Sequence, residues 1–528
     1  MRLLYALVAL LLVSCAQVVA PTGGEKDTTP PVLTNVSPAN FTSNFSATEV
    51  RFEFDEYVQL KSINSSLVVS PPLLEQPEIK LKGKSVIVSM PDSLAANTTY
   101  VFDFGKGIVD LNESNPTELI YVFSTGNQID SLTISGKAID AFTLKPLENA
   151  SVLLYENYED TFPTTTRPNF FARTGKDGSF TVSYLKPNTY GLAVLEDKNA
   201  SLTFDNPTEA IGFFPATLEV NYDSVPSLAP IKVFYEDKLP YTITNKKRKK
   251  ANEYRLELNK SPEGIAVMSN QPETGKVYFQ TATKGDSISI WTANEPNDSL
   301  VLIVTKEDVT LDTATFFLRK GERAKPLTPV KVINPLKLIG THENVTINFN
   351  QPIVINNTDS LMLLKDSTVV DAQFSLLDEN ALSLSVTANW EADANYKLVF
   401  DNGGIMSYLG QQMDSTAVGF EVKTADYFGV LLLNITMPDT GNFVLQVKDD
   451  KGKVVKEEKL TSSQSFTYNN MYPGKYACTI VNDLDGNGKW TTGDFELKRQ
   501  PEPIYYLKQE VNIRSNWDLK IDWIIDEE

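Results

Sequence analysis

The residues with the clearest chemical pattern are Asp483, Asp485, Asn487, Thr491 and Asp494, at positions 1, 3, 5, 9 and 12 of one stretch. Gly488 at position 6 permits a tight turn, and Lys489 at position 7 can offer its main-chain carbonyl. Oxygen donors at this spacing are what a hard cation requires, so the stretch is expected to hold a structural calcium ion. Asp at position 12 is shorter than the usual Glu and reaches an ion with one oxygen. The alternative is an Asp, Asn and Gly turn that folds without metal. A sister stretch, Asp197, Asn199, Ser201, Thr203 and Asp205, repeats the first donor types, with Leu202 in the place of Gly488 and Glu209 one position late. It reads as a second cation loop or as a surface turn. Either ion would stabilise the fold as a bound ligand does and would not be a catalytic centre.

Catalysis finds little else to use. His342 is the only histidine, which removes multi-His zinc sites and leaves one candidate for a Ser-His-Asp or Cys-His arrangement. It lies in Gly340-Thr341-His342-Glu343-Asn344, a turn before a strand, and is expected to be exposed. Walker loops, HExxH and nucleophile elbows are missing from the sequence. A glycosidase needs only two acids, but small sandwiches rarely build a deep cleft, so no enzyme is expected. With Lys plus Arg at 48 against 67 Asp plus Glu, the net charge of -19 opposes phosphate-driven attraction to nucleic acid. The basic run Lys246-Lys247-Arg248-Lys249-Lys250 reads as a solvated linker or hairpin, the alternative being contact with lipopolysaccharide phosphates or an acidic partner. In the stretch Tyr155 to Phe171, Tyr158, Phe162, Phe170 and Phe171 either anchor a partner or fold back as a small cluster.

The elements that must position these residues are strands. Val50, Phe52 and Phe54 alternate with Arg51, Glu53 and Asp55; Val345, Ile347 and Phe349 alternate with Thr346, Asn348 and Asn350. Trp517, Leu519, Ile521 and Trp523 repeat the pattern. No long stretch has a 3.6-residue period, and turn residues recur at the spacing of antiparallel sandwiches. The fold expected is all-β, a tandem array of about five Ig-like or transthyretin-like β-sandwiches, each of about 100 residues. Two internal repeats support it. Val50–Val58 matches Val345–Ile353, with Tyr100 answering Tyr396; Pro187-Asn188-Thr189-Tyr190 matches Pro473-Gly474-Lys475-Tyr476, and Asp197 and Asp483 each stand ten residues after the proline. Tyr476–Val481 reads as strand, so the cation loop stands without the helices of an EF-hand.

Three resemblances follow from these residues. Leu3–Val13 is too short to span a bilayer but suits a secretory signal, and Leu12-Val13-Ser14-Cys15 resembles a bacterial lipobox. The resemblance implies a diacylglycerol and acyl lipid on Cys15, and Ala16 at the next position implies the outer membrane. Gln17 to Gly24 lacks the acidic cluster of some surface-exported lipoproteins, which leaves the leaflet open. Cys478 would then be the one free thiol, a small buried hydrophobe on a strand, with no intramolecular disulfide. The opening Pro30-Pro31-Val32-Leu33 and Ser37-Pro38-Ala39-Asn40, with Val50–Val58, resembles the bacterial Ig-like domain of S-layer proteins and envelope lipoproteins. Ser135–Asp140, Thr174–Phe180 with its Asp177-Gly178 hairpin, and Tyr190 resemble the carboxypeptidase regulatory-like, or transthyretin-like, sandwich, which carries no catalytic groups.

The organisation expected is a signal peptide at 1–14, a tether at 15–30, an Ig-like domain at 31–127 and a regulatory-like sandwich at 128–236. A sandwich of no named family at 237–325, a divergent Ig-like domain at 326–424 and a C-terminal sandwich with the cation loop at 425–528 complete it. The resemblances imply a membrane-anchored scaffold or accessory subunit beside an outer-membrane β-barrel or other envelope protein. The alternative is a glycan-binding or adhesive surface protein. Asp92-Ser93-Leu94, Asp286-Ser287-Ile288 and Asp359-Ser360-Leu361 also resemble an O-glycosylation sequon, although Asp-Ser is a common turn start.

Overall fold

The computed structural model describes residues 27–91, 94–156, 162–223, 226–282, 285–318, 326–332 and 338–526, with 329–332 by backbone alone. Cys15 and the segment before it, Asp92-Ser93 and Tyr158 lie outside these residues. The fold is all-β: among the described residues, regular helix is limited to Ile63–Ser66 and three short 3-10 turns. No helix there is long and apolar enough to cross a membrane. Two compact units form, one from the residues up to Glu236 together with Thr492–Pro501, the other from Asp237–Thr491 and the residues from Glu502 onward.

In the first unit, Glu49–Phe54 lies between Leu33–Ser37 and Ser85–Ser89, and buries Val50, Phe52 and Phe54 while the residues between them stay at least partly exposed. A second sheet, Ile120–Ser124, Thr99–Asp103 and Val68–Ser70, supplies Phe102, Tyr121 and Phe123 to the same core. Period-two alternation therefore does here what it should, one face in and one face out. The following sandwich is one long curled sheet running from Phe170–Arg173 through Ser151–Tyr155, Asn188–Leu195, Ala210–Phe213, Ile231–Tyr235 and Leu132–Asp140 to Ser179–Leu185. Its Asp177-Gly178 turn forms, with Gly178 at φ 73° and Asp177 Oδ1 accepting the Ser179 N–H at 3.1 Å. The strands it joins do not form a ladder with each other as a hairpin would. Phe170–Arg173 pairs with Ser151–Tyr155, and Ser179–Leu185 with Leu132–Asp140.

In the second unit, Val345–Phe349 lies between Pro329–Val332 and Ser383–Thr387, and Ala394–Phe400 between Thr416–Lys423 and Leu361–Lys365, the same strand order as in the first Ig-like sandwich. The C-terminal sandwich likewise repeats the order of the curled one. Gly474–Asn482 pairs with Phe443–Asp449, Ile504–Tyr506 and Val511–Ile513, as Asn188–Leu195 pairs with Ser151–Tyr155, Ala210–Phe213 and Leu218–Val220. Both place a tyrosine hydroxyl on the carbonyl four residues earlier, Tyr190 on Lys186 and Tyr476 on Tyr472, each at 2.8 Å. Five separate hydrophobic clusters form the cores.

Candidate metal centre

The loop after Gly474–Asn482 begins at Asp483, and its counterpart is set by strand pairing. Thr479 faces Tyr506 and Val481 faces Ile504. The next step of that antiparallel register sets Asp483 opposite Glu502, and the Asn482 N–H donates to the Pro503 carbonyl at 2.9 Å. Asp483, Asp485 and Glu502 thereby each bring one carboxylate oxygen within 4.8 Å of the others. Asp483 and Glu502 are only 4% exposed, whereas Asp485 is exposed.

Backbone amides hold these acids. Glu502 Oε1 accepts the N–H groups of Leu484 at 2.7 Å and Asp485 at 3.2 Å, and Oε2 accepts that of Thr491 at 2.8 Å. Asp483 Oδ2 accepts the Gly488 N–H at 2.9 Å, while Asp483 Oδ1, buried, has no hydrogen-bond partner among the described residues. Asp485 accepts the Asn487 N–H at 3.1 Å and the Thr491 hydroxyl at 2.7 Å. Asn487 Oδ1 accepts the Lys489 N–H at 2.7 Å. The turn depends on Gly486 and Gly488 at φ 76° and 80°, the left-handed region that glycine enters without penalty. Lys489 extends its ammonium to Glu263 at 2.8 Å, and the exposed Lys459 lies against Gly488.

Asp494, expected at position 12, is not part of this cluster. It belongs to Thr492–Pro501, which folds into the first unit: its Oδ1 accepts the Leu497 N–H at 3.0 Å, and its backbone pairs with Arg499. In that unit Phe495 packs against Phe162, Phe204 and Phe213, and Thr492 donates to the Tyr235 carbonyl at 2.7 Å. The chain leaves this loop before the twelfth position is reached, and Glu502 supplies the third carboxylate of the cluster. Local spacing could not disclose this, because Glu502 is placed by a strand pairing that spans the excursion.

The sister loop has the same skeleton. Asp197 Oδ2 accepts the Leu202 N–H at 3.0 Å, Asn199 Oδ1 the Ser201 N–H at 3.0 Å, and Glu209 Oε1 the Lys198 N–H at 3.1 Å. Val194 faces Gly212 and Leu195 faces Ile211, so the same register sets Glu209 opposite Asp197. The contents differ. Asn199 stands where the other loop has Asp485, and Asp205 is engaged by Asn199 Nδ2 at 2.9 Å and by the Thr203 hydroxyl at 3.2 Å. Thr203 also donates to Ser201 Oγ at 2.9 Å. The Arg173 guanidinium is near enough to Asp197 for the two charges to interact.

Of the two readings for the aromatics of Tyr155 to Phe171, the structure supports folding back for the described phenylalanines. Phe162, Phe170 and Phe171 are buried; Phe162 lies tilted against Tyr155 and Phe170 edge-on to Tyr190, with centroids 4.7 and 5.8 Å apart. The Phe171 N–H donates to Ser70 Oγ at 3.1 Å. Burial leaves them no surface to offer. The basic run is the edge strand Ile243–Lys250, and Arg248 is not solvated with its neighbours: it grips Glu295 through two nitrogens at 3.1 and 2.6 Å. His342 is exposed and meets Phe428 edge-on. Cys478 is buried, and burial pushes its thiol up to about 12. A groove of about 750 Å³ lies in the second unit, lined by Asn344, Asp449, Lys451, Asn469, Tyr472 and Tyr476 among others. Nothing in the sequence marked it, since its walls come from distant strands.

Residues 27–125 match the bacterial Ig-like domain. No curated protein matches the chain in sequence. Among solved structures, SGBP-B of the Bacteroides ovatus mixed-linkage glucan utilization locus, in complex with a mixed-linkage heptasaccharide, aligns with 84% of this chain and 99% of its own at 9% identity and a TM-score of 0.19. The S-layer protein rSbsC aligns with 92% of this chain and 67% of its own at 12% identity and a TM-score of 0.15. Native alpha-2-macroglobulin from Escherichia coli aligns with 35% of this chain and 72% of its own at 10% identity and a TM-score of 0.18. Likeness this low carries no argument about what the chain does.

Proposed function

We propose that this chain is a non-catalytic lipoprotein of the outer membrane, anchored through Cys15, whose β-sandwich surfaces serve as scaffold or accessory subunit for an outer-membrane β-barrel or other envelope protein. The observation that carries the reading is the lipobox-like Leu12-Val13-Ser14-Cys15, followed by a short tether that opens directly into the bacterial Ig-like domain. Cores filled with aliphatic and aromatic side chains support a role exercised through surfaces. The test is metabolic labelling with a fatty acid, followed by cross-linking of gently solubilised membranes and mass spectrometry of the purified full-length protein. Label lost in Cys15→Ser and one stoichiometric envelope partner are the expected results. Unlabelled wild-type protein, or recovery of the chain alone, would overturn the reading.

A second reading, glycan binding, is favoured by the groove in the second unit. Tyr472 and Tyr476 offer aromatic surface there, and Asn344, Asn469 and Asp449 offer amide and carboxylate groups, the set that sugar hydroxyls need. A screen of envelope and host glycans should then give binding that Asn344→Ala weakens. A screen without any binding would remove it.

A further inference from the structure

We propose that Asp483, Asp485 and Glu502, with the loop Asp483–Thr491, form a calcium site in which Glu502, not Asp494, is the closing carboxylate. Three acids with oxygens within 4.8 Å of each other, two of them almost fully buried, repel one another strongly unless a positive charge joins them. Backbone N–H groups donate to the carboxylates of both Glu502 and Asp483, so the fold holds both as acceptors. What the amides leave over is lone pairs, and Asp483 Oδ1 is buried with no donor to meet it. An orphaned carboxylate oxygen beside two further carboxylates is the arrangement a hard cation resolves.

The ion's class follows from the donors, which are all oxygens. Thr491 Oγ and Asn487 Oδ1 stand on the same turn as Asp485, and the exposed face of Asp485 leaves room for water. Several oxygens on a glycine-hinged loop suit the larger, geometrically tolerant calcium rather than magnesium, which demands a near-ideal octahedron and keeps its waters. The sister loop also has a buried carboxylate oxygen without a partner, Glu209 Oε2, but Asn199 stands in the place of Asp485, and among the described residues no third acid joins Asp197 and Glu209. Its acid at the ninth position, Asp205, is bonded to Asn199 and Thr203 much as Asp485 is bonded to Asn487 Nδ2 and Thr491, but there the Arg173 charge is near enough to interact with Asp197. One ion is therefore assigned, to the second unit.

The site carries its own reporter. Trp490 lies within the loop and donates its indole N–H to the Glu502 carbonyl at 2.9 Å, so it is placed to sensitise bound terbium. Titrating the full chain with terbium should give saturable emission displaced by calcium, with a calcium dissociation constant of about 10⁻⁴–10⁻³ M, the range of extracellular modules. Asp485→Asn, an exposed change that spares the fold, should weaken binding about tenfold or more, and Glu502→Gln at least as much. Asp494→Asn should leave affinity unchanged. Trp490→Phe should lose the emission yet keep the calcium-dependent gain in hydrogen-exchange protection of residues 483–491 that Asp483→Ala with Asp485→Ala abolishes. Emission that calcium does not displace, wild-type affinity in Asp485→Asn, or lost affinity in Asp494→Asn would each overturn the proposal.

Discussion

Glu502→Gln, studied in chelator so that no ion contributes, isolates what the carboxylate does for the backbone. Three main-chain N–H groups donate to it, from Leu484 and Asp485 to one oxygen and from Thr491 to the other. A glutamine can keep its oxygen on only one side. If that oxygen faces Leu484 and Asp485, the amide nitrogen faces the Thr491 N–H, donor against donor. The loss is one hydrogen bond to a charged acceptor, about 1.5–3 kcal/mol, nearer the lower figure because Thr491 is half-buried and water can replace part of it. Since a chain of several sandwiches does not melt in one step, global unfolding is a poor readout. Hydrogen exchange of the peptide spanning residues 483–491 reads the local opening directly. At 1.4 kcal/mol per tenfold, protection of the Thr491 amide should fall about 10- to 100-fold, while the sandwich strand Gly474–Asn482 keeps its protection. Unchanged exchange at Thr491 would mean that Glu502 does not hold the loop, and the register argument that sets it opposite Asp483 would fail with it.

Other expectations follow from single contacts. Gly493→Ala places a Cβ 2.4 Å from Cζ of the buried Phe234; the ring cannot swing away, so the change should cost about 1–3 kcal/mol and expose residues 492–501 to proteolysis, and wild-type resistance would contradict the packing. Cys478, with its thiol pushed up to about 12, should resist a thiol reagent at pH 8 until denaturant is added, and rapid labelling of the native protein would refute its burial. The Glu209 carboxyl is held above the ordinary range by burial, and by the Asp197 and Asp205 charges. The folded state thus binds that proton more tightly than the unfolded state, so its contribution is full below the ordinary Glu value and is lost as pH rises through the raised one. Glu209→Gln should remove this slope from the stability profile of the first unit in weak acid; identical slopes in both proteins would refute it.

What the sequence made legible was whatever depends on near neighbours. The alternation at Val50, Phe52 and Phe54 and at Val345, Ile347 and Phe349 sorted buried from exposed positions correctly, because a strand turns each successive side chain to the other face. The pairing of Tyr190 with Tyr476 in the repeat was also a real signal, since both hydroxyls return to the carbonyl four residues back. The closeness of Asp483 and Asp485 in the loop was readable for the same reason. Glu502 was not, because its position is set by the register of Ile504–Tyr506 against Gly474–Asn482 across a ten-residue excursion. Which of the two readings holds for Phe162, Phe170 and Phe171 was not legible, for the complementary reason. Composition shows that aromatics lie in a long connection, but only the fold shows that Phe495, far away in sequence, comes to cover Phe162.

The two loops answer one electrostatic problem in two ways. Strand register forces an Asp at the start of each loop opposite a buried Glu, so each must dispose of two acids close together. In the first copy Asn199 replaces the third clustered acid, Asp205 is bonded to neutral side chains, and the Arg173 charge lies near Asp197. What remains is Glu209, whose Oε2 is buried without a partner and whose carboxyl is held above the ordinary range by burial and by the Asp197 and Asp205 charges. That loop also keeps Ala200 and Leu202 at φ 59°, where a side chain costs about 1–2 kcal/mol each, so the turn is held by its own hydrogen bonds against backbone strain. In the second copy glycines remove that strain, and the third acid is kept in the cluster. In that loop three acids converge on a relaxed backbone and Asp483 Oδ1 is left without a donor, the arrangement for which a divalent ion is proposed.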